Sequence, residues 1–79
     1  MTLSDTIGPT LKRARERAKL SQGQLVKAMG QEDNMRTWLS RIENSRGAPT
    51  LDTIASIAQV LNVPAWELVK RAEEMTESK

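Results

Sequence analysis

Ser21-Gln22-Gly23-Gln24-Leu25-Val26-Lys27-Ala28-Met29-Gly30 reads as one short helix with both ends marked. Ser21 suits the cap, because a short side-chain oxygen there accepts from a free backbone N–H of the first turn. Gln24, three residues on, completes a capping box by reaching back to the Ser21 N–H. Leu25, Ala28 and Met29 form the inner face. Gly30 supplies the left-handed residue that closes a helix at low cost. Eight residues after the cap are too few for a helix to stand alone, so this one needs neighbours.

Those neighbours are legible on both sides. Downstream, Gln31-Glu32-Asp33-Asn34 is polar and turn-like, with Asp33 or Asn34 as the cap of a helix over about 34–44. Met35, Leu39 and Ile42 make its buried stripe. Arg36, Thr37, Ser40, Arg41 and Asn44 lie off that stripe. Such a face is either ordinary solvated surface or a surface for base edges, which arginines and short polar groups read in the major groove. Ser45 to Pro49 is a loop, and Thr50 caps a fourth helix with the stripe Leu51, Ile54, Ile57, Ala58 and Leu61. Asn62 suits its left-handed end. Pro64 opens a fifth helix, with Ala65, Trp66, Leu68, Val69 and Ala72 as apolar surface.

Upstream, Thr6 is the expected cap of a first helix that holds Pro9 in its first turn. Ile7, Leu11, Ala14 and Ala18 trace one face of it. Arg15 falls near that apolar face, and a charge there wants a partner. No segment has strand periodicity, so the fold class is all-α: a compact bundle of five short helices. Residues 1–5 read as a flexible N-terminus, 6–72 as one domain, and 73–79 as a polar C-terminal tail.

Composition narrows the function. The 79 residues are 38% hydrophobic and 28% charged, with Trp38 and Trp66 the only aromatics. That is globular composition in which aliphatic residues must fill a small core. There is no cysteine and no histidine, which removes thiolate ligands, the commonest metal ligand and the commonest general base. With no glycine-rich phosphate loop and no paired carboxylates, the expectation is a non-enzyme without metal or cofactor. No apolar run suits a membrane span and no signal peptide is evident, so a cytoplasmic protein without a sensor domain is expected. Charge is uneven: residues 1–50 carry nine Lys or Arg against five acids, and residues 51–79 carry three against five. A basic half and an acidic half imply one surface for a polyanion, or merely solvated charge.

Two helices joined by a short connection at Gly30 form a helix-turn-helix, in which the first helix crosses the DNA backbone and the second enters the major groove. The cap at Ser21 leaves backbone N–H groups for a phosphate, and Gln22 can donate to the same group. The chain resembles the phage lambda repressor/Cro-type family, also called the xenobiotic-response-element type. The resemblance is carried by Leu11-Lys12-Arg13-Ala14-Arg15, Ser21-Gln22-Gly23-Gln24-Leu25 and Leu39-Ser40-Arg41-Ile42-Glu43-Asn44. It continues through Pro49-Thr50-Leu51 and Leu61-Asn62-Val63-Pro64 to Glu67-Leu68, and so covers roughly residues 7–69.

This resemblance implies a lambda-repressor-like domain and a dimeric transcriptional regulator on a palindromic duplex DNA operator. It pairs Arg15 with Glu43 as a structural ion pair. It assigns base contacts to Arg36, Thr37, Ser40 and Arg41. Phosphate contacts fall to Gln22, Asn44, Arg46 and Lys19. Val63, Trp66, Val69 and Lys70 are the expected homodimer interface, with Trp66 otherwise a cover over the core. The rival reading is an antitoxin or protein-interaction module of a toxin–antitoxin or mobile-element system, whose protein partner would be a toxin or an anti-repressor.

The chain also departs from the family pattern. Eight residues separate Gly30 from Leu39 where the pattern uses five. The extra three either lengthen the turn or extend the second helix. Val26 replaces the usual alanine at a tight crossing, and Ser45 replaces a common glycine. Trp38 stands where a small polar residue is usual, either packed on the lengthened turn or touching a sugar or thymine methyl.

Overall fold

The computed structural model describes residues 2–77, and at Asp33 the backbone alone. Five α-helices account for most of it: α1 (Leu3–Arg17), α2 (Gln22–Ala28), α3 (Arg36–Glu43), α4 (Leu51–Leu61) and α5 (Ala65–Glu77). No strand occurs among the described residues. The first and last helices pack most extensively against each other, and α3 lies across α1 and α2. The core is Ile7, Leu11 and Ala14 of α1, Leu25 and Val26 of α2, and Leu39 and Ile42 of α3. Ile54, Ile57 and Ala58 of α4 join Leu68 and Ala72 of α5 to complete it. Val26 is fully buried at the helix crossing.

The local signals read at α2 and α4 hold in detail. Ser21 Oγ accepts from the Gln24 N–H at 3.1 Å, and Gln24 Oε1 accepts from the Ser21 N–H at 2.8 Å. Thr50 Oγ1 accepts from the Thr53 N–H at 3.1 Å. Four helices end on a left-handed residue: Lys19, Gly30, Ser45 and Asn62. In each, the following N–H returns to a carbonyl five residues back, as in Gln31 N–H to Val26 O at 3.0 Å. Glycine and asparagine take that conformation readily, whereas Lys19 and Ser45 hold it at a cost of about 1–2 kcal/mol.

The N-terminal reading is corrected. Helix α1 begins at Leu3, and Asp5 Oδ2 accepts from the Thr2 N–H at 2.9 Å. That hydrogen bond holds the Asp5 carboxyl below its ordinary pKa. Thr6 is therefore inside the helix. It is buried, and its Oγ1 donates to the Ala72 carbonyl at 2.8 Å. Pro9 is likewise interior rather than in the first turn. It removes the N–H that would have reached the Asp5 carbonyl. Ser45 Oγ donates to that carbonyl instead, at 2.9 Å. Beside it, Gly8 lies so close to the end of α3 that a Cβ there would clash with the Ile42 carbonyl oxygen.

Other readings change at the edges of elements. The polar stretch from Glu73 is helical through Glu77, and Met1, Ser78 and Lys79 lie outside the described residues. Ala18 and Ala28 are exposed because α1 and α2 end at or before them. Leu51, at the first position of α4, is 79% exposed, since its stripe outruns the core it packs on.

Candidate functional site

The site is assembled by a buried clamp. Arg15 is 8% exposed and Glu43 is 2% exposed. Arg15 Nε donates to Glu43 Oε2 at 2.7 Å and Nη2 donates to Oε1 at 3.0 Å. The third arm, Nη1, donates to the Leu20 carbonyl at 2.7 Å in the turn between α1 and α2. Gln22 Nε2 adds a further donor to Glu43 Oε1 at 2.9 Å. One carboxylate at the end of α3 thus holds α1 directly and α2 through Gln22. Hydrogen bonding to Glu43 raises the Arg15 pKa against the opposing effect of burial. The pair is a fixed charge-assisted lock with bidentate geometry.

The outward side of α3 forms an open concavity lined by Gln22, Asn34, Arg36, Thr37, Ser40, Arg41 and Arg46. Three guanidiniums line it, and no carboxylate does among the described side chains. Arg36, Thr37, Arg41 and Arg46 are exposed, and Ser40 and Gln22 are half-buried. Thr37 and Arg41 make no side-chain hydrogen bond or ion pair among the described residues. Backbone order supports this face, since the Arg46 N–H returns to the Arg41 carbonyl at 2.8 Å and fixes the chain after α3. A helix about 10–12 Å across, side chains included, fits a major groove about 12 Å wide.

The extra residues between Gly30 and Leu39 take a defined shape. Asp33–Met35 is a 3-10 turn that runs directly into α3, closed by the Met35 N–H on the Glu32 carbonyl at 2.9 Å. Met35, in right-handed helical conformation, precedes α3 without a side-chain cap, so neither Asp33 nor Asn34 is the residue that caps it. Met35 and Trp38 are half-buried against the core, which gives Trp38 a packing role. Asn34, read from the sequence only as a cap, is exposed on the concavity. Its membership became visible only once the 3-10 turn fixed its direction.

The structure does not bring every expected residue to this face. Asn44 Nδ2 donates to the Ser40 carbonyl at 2.8 Å, and Asn44 lines a separate recess with Lys12, Arg13, Glu16 and Ser45. Lys19 is exposed in the α1–α2 turn. Gln22 faces the concavity but already donates to Glu43, so any phosphate must share its amide. On the far side, Trp66, Val69 and Lys70 line one recess of α5 together with Glu73, Glu74 and Glu77. Trp66 is 65% exposed and therefore does not cover the core. Val63 belongs to a different recess, with Ala14, Arg17, Leu61 and Arg71.

Among the described residues no acidic cluster could hold a metal ion, and no helix is long and apolar enough to cross a membrane. Residues 6–70 match the model of a family described as a helix-turn-helix domain. No curated protein matches the chain.

Proposed function

The chain belongs to the helix-turn-helix family of the Cro/C1 type, whose members bind DNA, and on that premise we propose that it is a sequence-specific transcriptional repressor. It acts in the cytoplasm as a homodimer on a palindromic operator. The outward side of α3 enters the major groove, where Arg41 and Arg36 read base edges with Thr37 and Ser40 beside them. Arg46 and Gln22 meet the flanking phosphates, with Asn44 and Lys19 as outlying contacts. The observation that carries this reading is a concavity on the second helix of the motif and the loop after it, lined by three arginines and, among the described side chains, by no carboxylate. Arginine binds guanine through two parallel hydrogen bonds, which gives both affinity and base discrimination.

Selection of bound duplexes from a random pool tests the proposal directly. Enriched half-sites centred about 10 bp apart are expected, because two-fold symmetric recognition helices enter successive turns of the major groove. Arg41→Ala is expected to weaken binding to the selected duplex by about 1–3 kcal/mol while leaving random-duplex affinity nearly unchanged. An equal loss on both duplexes would make Arg41 a phosphate contact and remove it from base reading.

The proposed dimer surface is the exposed side of α5 around Trp66, Val69 and Lys70. An exposed tryptophan beside mixed charges is the composition of an interface centre with a polar rim. Trp66→Ala is expected to convert a micromolar dimer to monomer in sedimentation equilibrium, with the helical signal retained. A variant that stays dimeric moves the interface elsewhere.

A further inference from the structure

We infer that Asn34 is a specificity-determining residue, whose carboxamide reads an adenine one step beyond the bases reached from Thr37 and Arg41. This inference rests on the DNA-reading role proposed for α3 and adds a residue to it. Three observations converge on Asn34. It is exposed and lines the same concavity as Arg36, Thr37, Ser40 and Arg41. Its side chain makes no hydrogen bond among the described residues, so both the donor and the acceptor of the amide are available. It also stands three residues before Thr37 and seven before Arg41, in a 3-10 turn continuous with α3. Positions three and seven apart share a helix face.

The three therefore form a row. At about 1.5 Å per residue that row spans about 10 Å, close to three base-pair steps of about 3.4 Å. The turn is held firmly enough to present a side chain in register. Met35 and Trp38, flanking the row, pack against the core, and the Met35 N–H closes on the Glu32 carbonyl. A reading group on such an anchored element keeps its geometry.

Charge selects the base edge over the backbone as the target. Glu32 is exposed two residues before Asn34, and a carboxylate there disfavours a phosphate nearby. A neutral amide is free of that repulsion. It offers one acceptor and one donor in a plane, which match the N6 donor and N7 acceptor of adenine. The three residues by which this chain exceeds the family pattern thus lengthen the reading face.

The test is duplex selection with the full chain and with Asn34→Ala and Asn34→Asp. The wild type is expected to prefer adenine at one position per half-site, and Asn34→Ala to lose that preference alone. Affinity for the wild-type site should fall roughly 5- to 150-fold in Asn34→Ala, with random-duplex affinity unchanged. Asn34→Asp keeps the shape but loses the donor, and should shift the position toward cytosine, whose N4 amine donates to a carboxylate. If the wild type selects a consensus that Asn34→Ala and Asn34→Asp both retain, the inference about Asn34 fails while the reading of α3 stands. A uniform loss on selected and random duplexes makes Asn34 a phosphate contact and also overturns it. A wild type that enriches no sequence overturns both.

Discussion

Glu43→Ala is expected to destabilise the domain by about 3–5 kcal/mol, the penalty for stranding a buried charged partner. The reason is the count of donors left behind. Glu43 accepts from Arg15 Nε, Arg15 Nη2 and Gln22 Nε2, and Arg15 is itself 8% exposed. Without the carboxylate, the guanidinium keeps, among the described residues, only its bond to the Leu20 carbonyl. For a domain of this size each 1 kcal/mol moves the melting temperature by about 4–8 °C, so a fall of more than about 12 °C is expected in thermal denaturation. Small domains often hold only about 5 kcal/mol in total, so partial unfolding at 37 °C is also expected. The double substitution Arg15→Met with Glu43→Leu should regain most of the loss, because it removes both charges. A single variant that melts within about 4 °C of the wild type would show that water solvates Arg15 in place of Glu43. Arg15 contributes no pH dependence near neutrality. A raised base pKa gives stability that is complete below the unfolded value and is lost only as pH climbs through the folded one. For Arg15, already far alkaline and raised further, that window lies at extreme alkalinity.

The second large effect is expected from the smallest change, Gly8→Ala. In most helices this substitution stabilises by about 1 kcal/mol, since alanine is the better helix former. Here the added Cβ would clash with the Ile42 carbonyl oxygen and sit 3.2 Å from the Glu43 carbonyl oxygen. Neither is a flexible side chain that can move aside. Helix α1 must therefore lift from the end of α3, at a cost of about 1–3 kcal/mol or more for overpacking. The shift also stretches the Arg15–Glu43 clamp, which joins the same two helices. A net loss of about 2 kcal/mol is expected in chemical denaturation, against the propensity gain. Equal or higher stability would mean that the two helices do not approach this closely.

These two sites also show what the sequence can and cannot disclose. Ser21 with Gln24, Thr50 and Gly30 were legible because each acts on backbone within a few residues of itself. Thr6, Gly8 and Pro9 were not, because Thr6 bonds to Ala72, Gly8 abuts Ile42, and the Asp5 carbonyl freed by Pro9 accepts from Ser45. Thr6 and Pro9 read locally as a cap and a first-turn residue and Gly8 carries no local signal, yet each answers to a distant segment. Arg15 was half legible. Periodicity placed a charge on an apolar face, but only the family resemblance named Glu43, 28 residues away.

The concavity on α3 divides in the same way. Arg36, Thr37, Ser40 and Arg41 were read from helical spacing and the family pattern, and they do share one face. The direction of Asn34 depended on whether three additional residues became turn or helix. The stretch holds a 3-10 turn, Asp33–Met35, with Met35 and Trp38 half-buried against the core. Asn44 was drawn away by its own hydrogen bond to the Ser40 carbonyl, a local alternative that asparagine commonly takes.

The hydrogen bond from Thr6 to the Ala72 carbonyl joins residues 66 positions apart. On the ribosome, the part of α1 that packs on α5 therefore has no permanent cover until α5 has been made. At a synthesis rate of about 5–20 residues per second, the nascent helices wait several seconds with that apolar side open to chaperones. Closure of that side is then a late event, in which α5 seals a helix made 66 positions earlier.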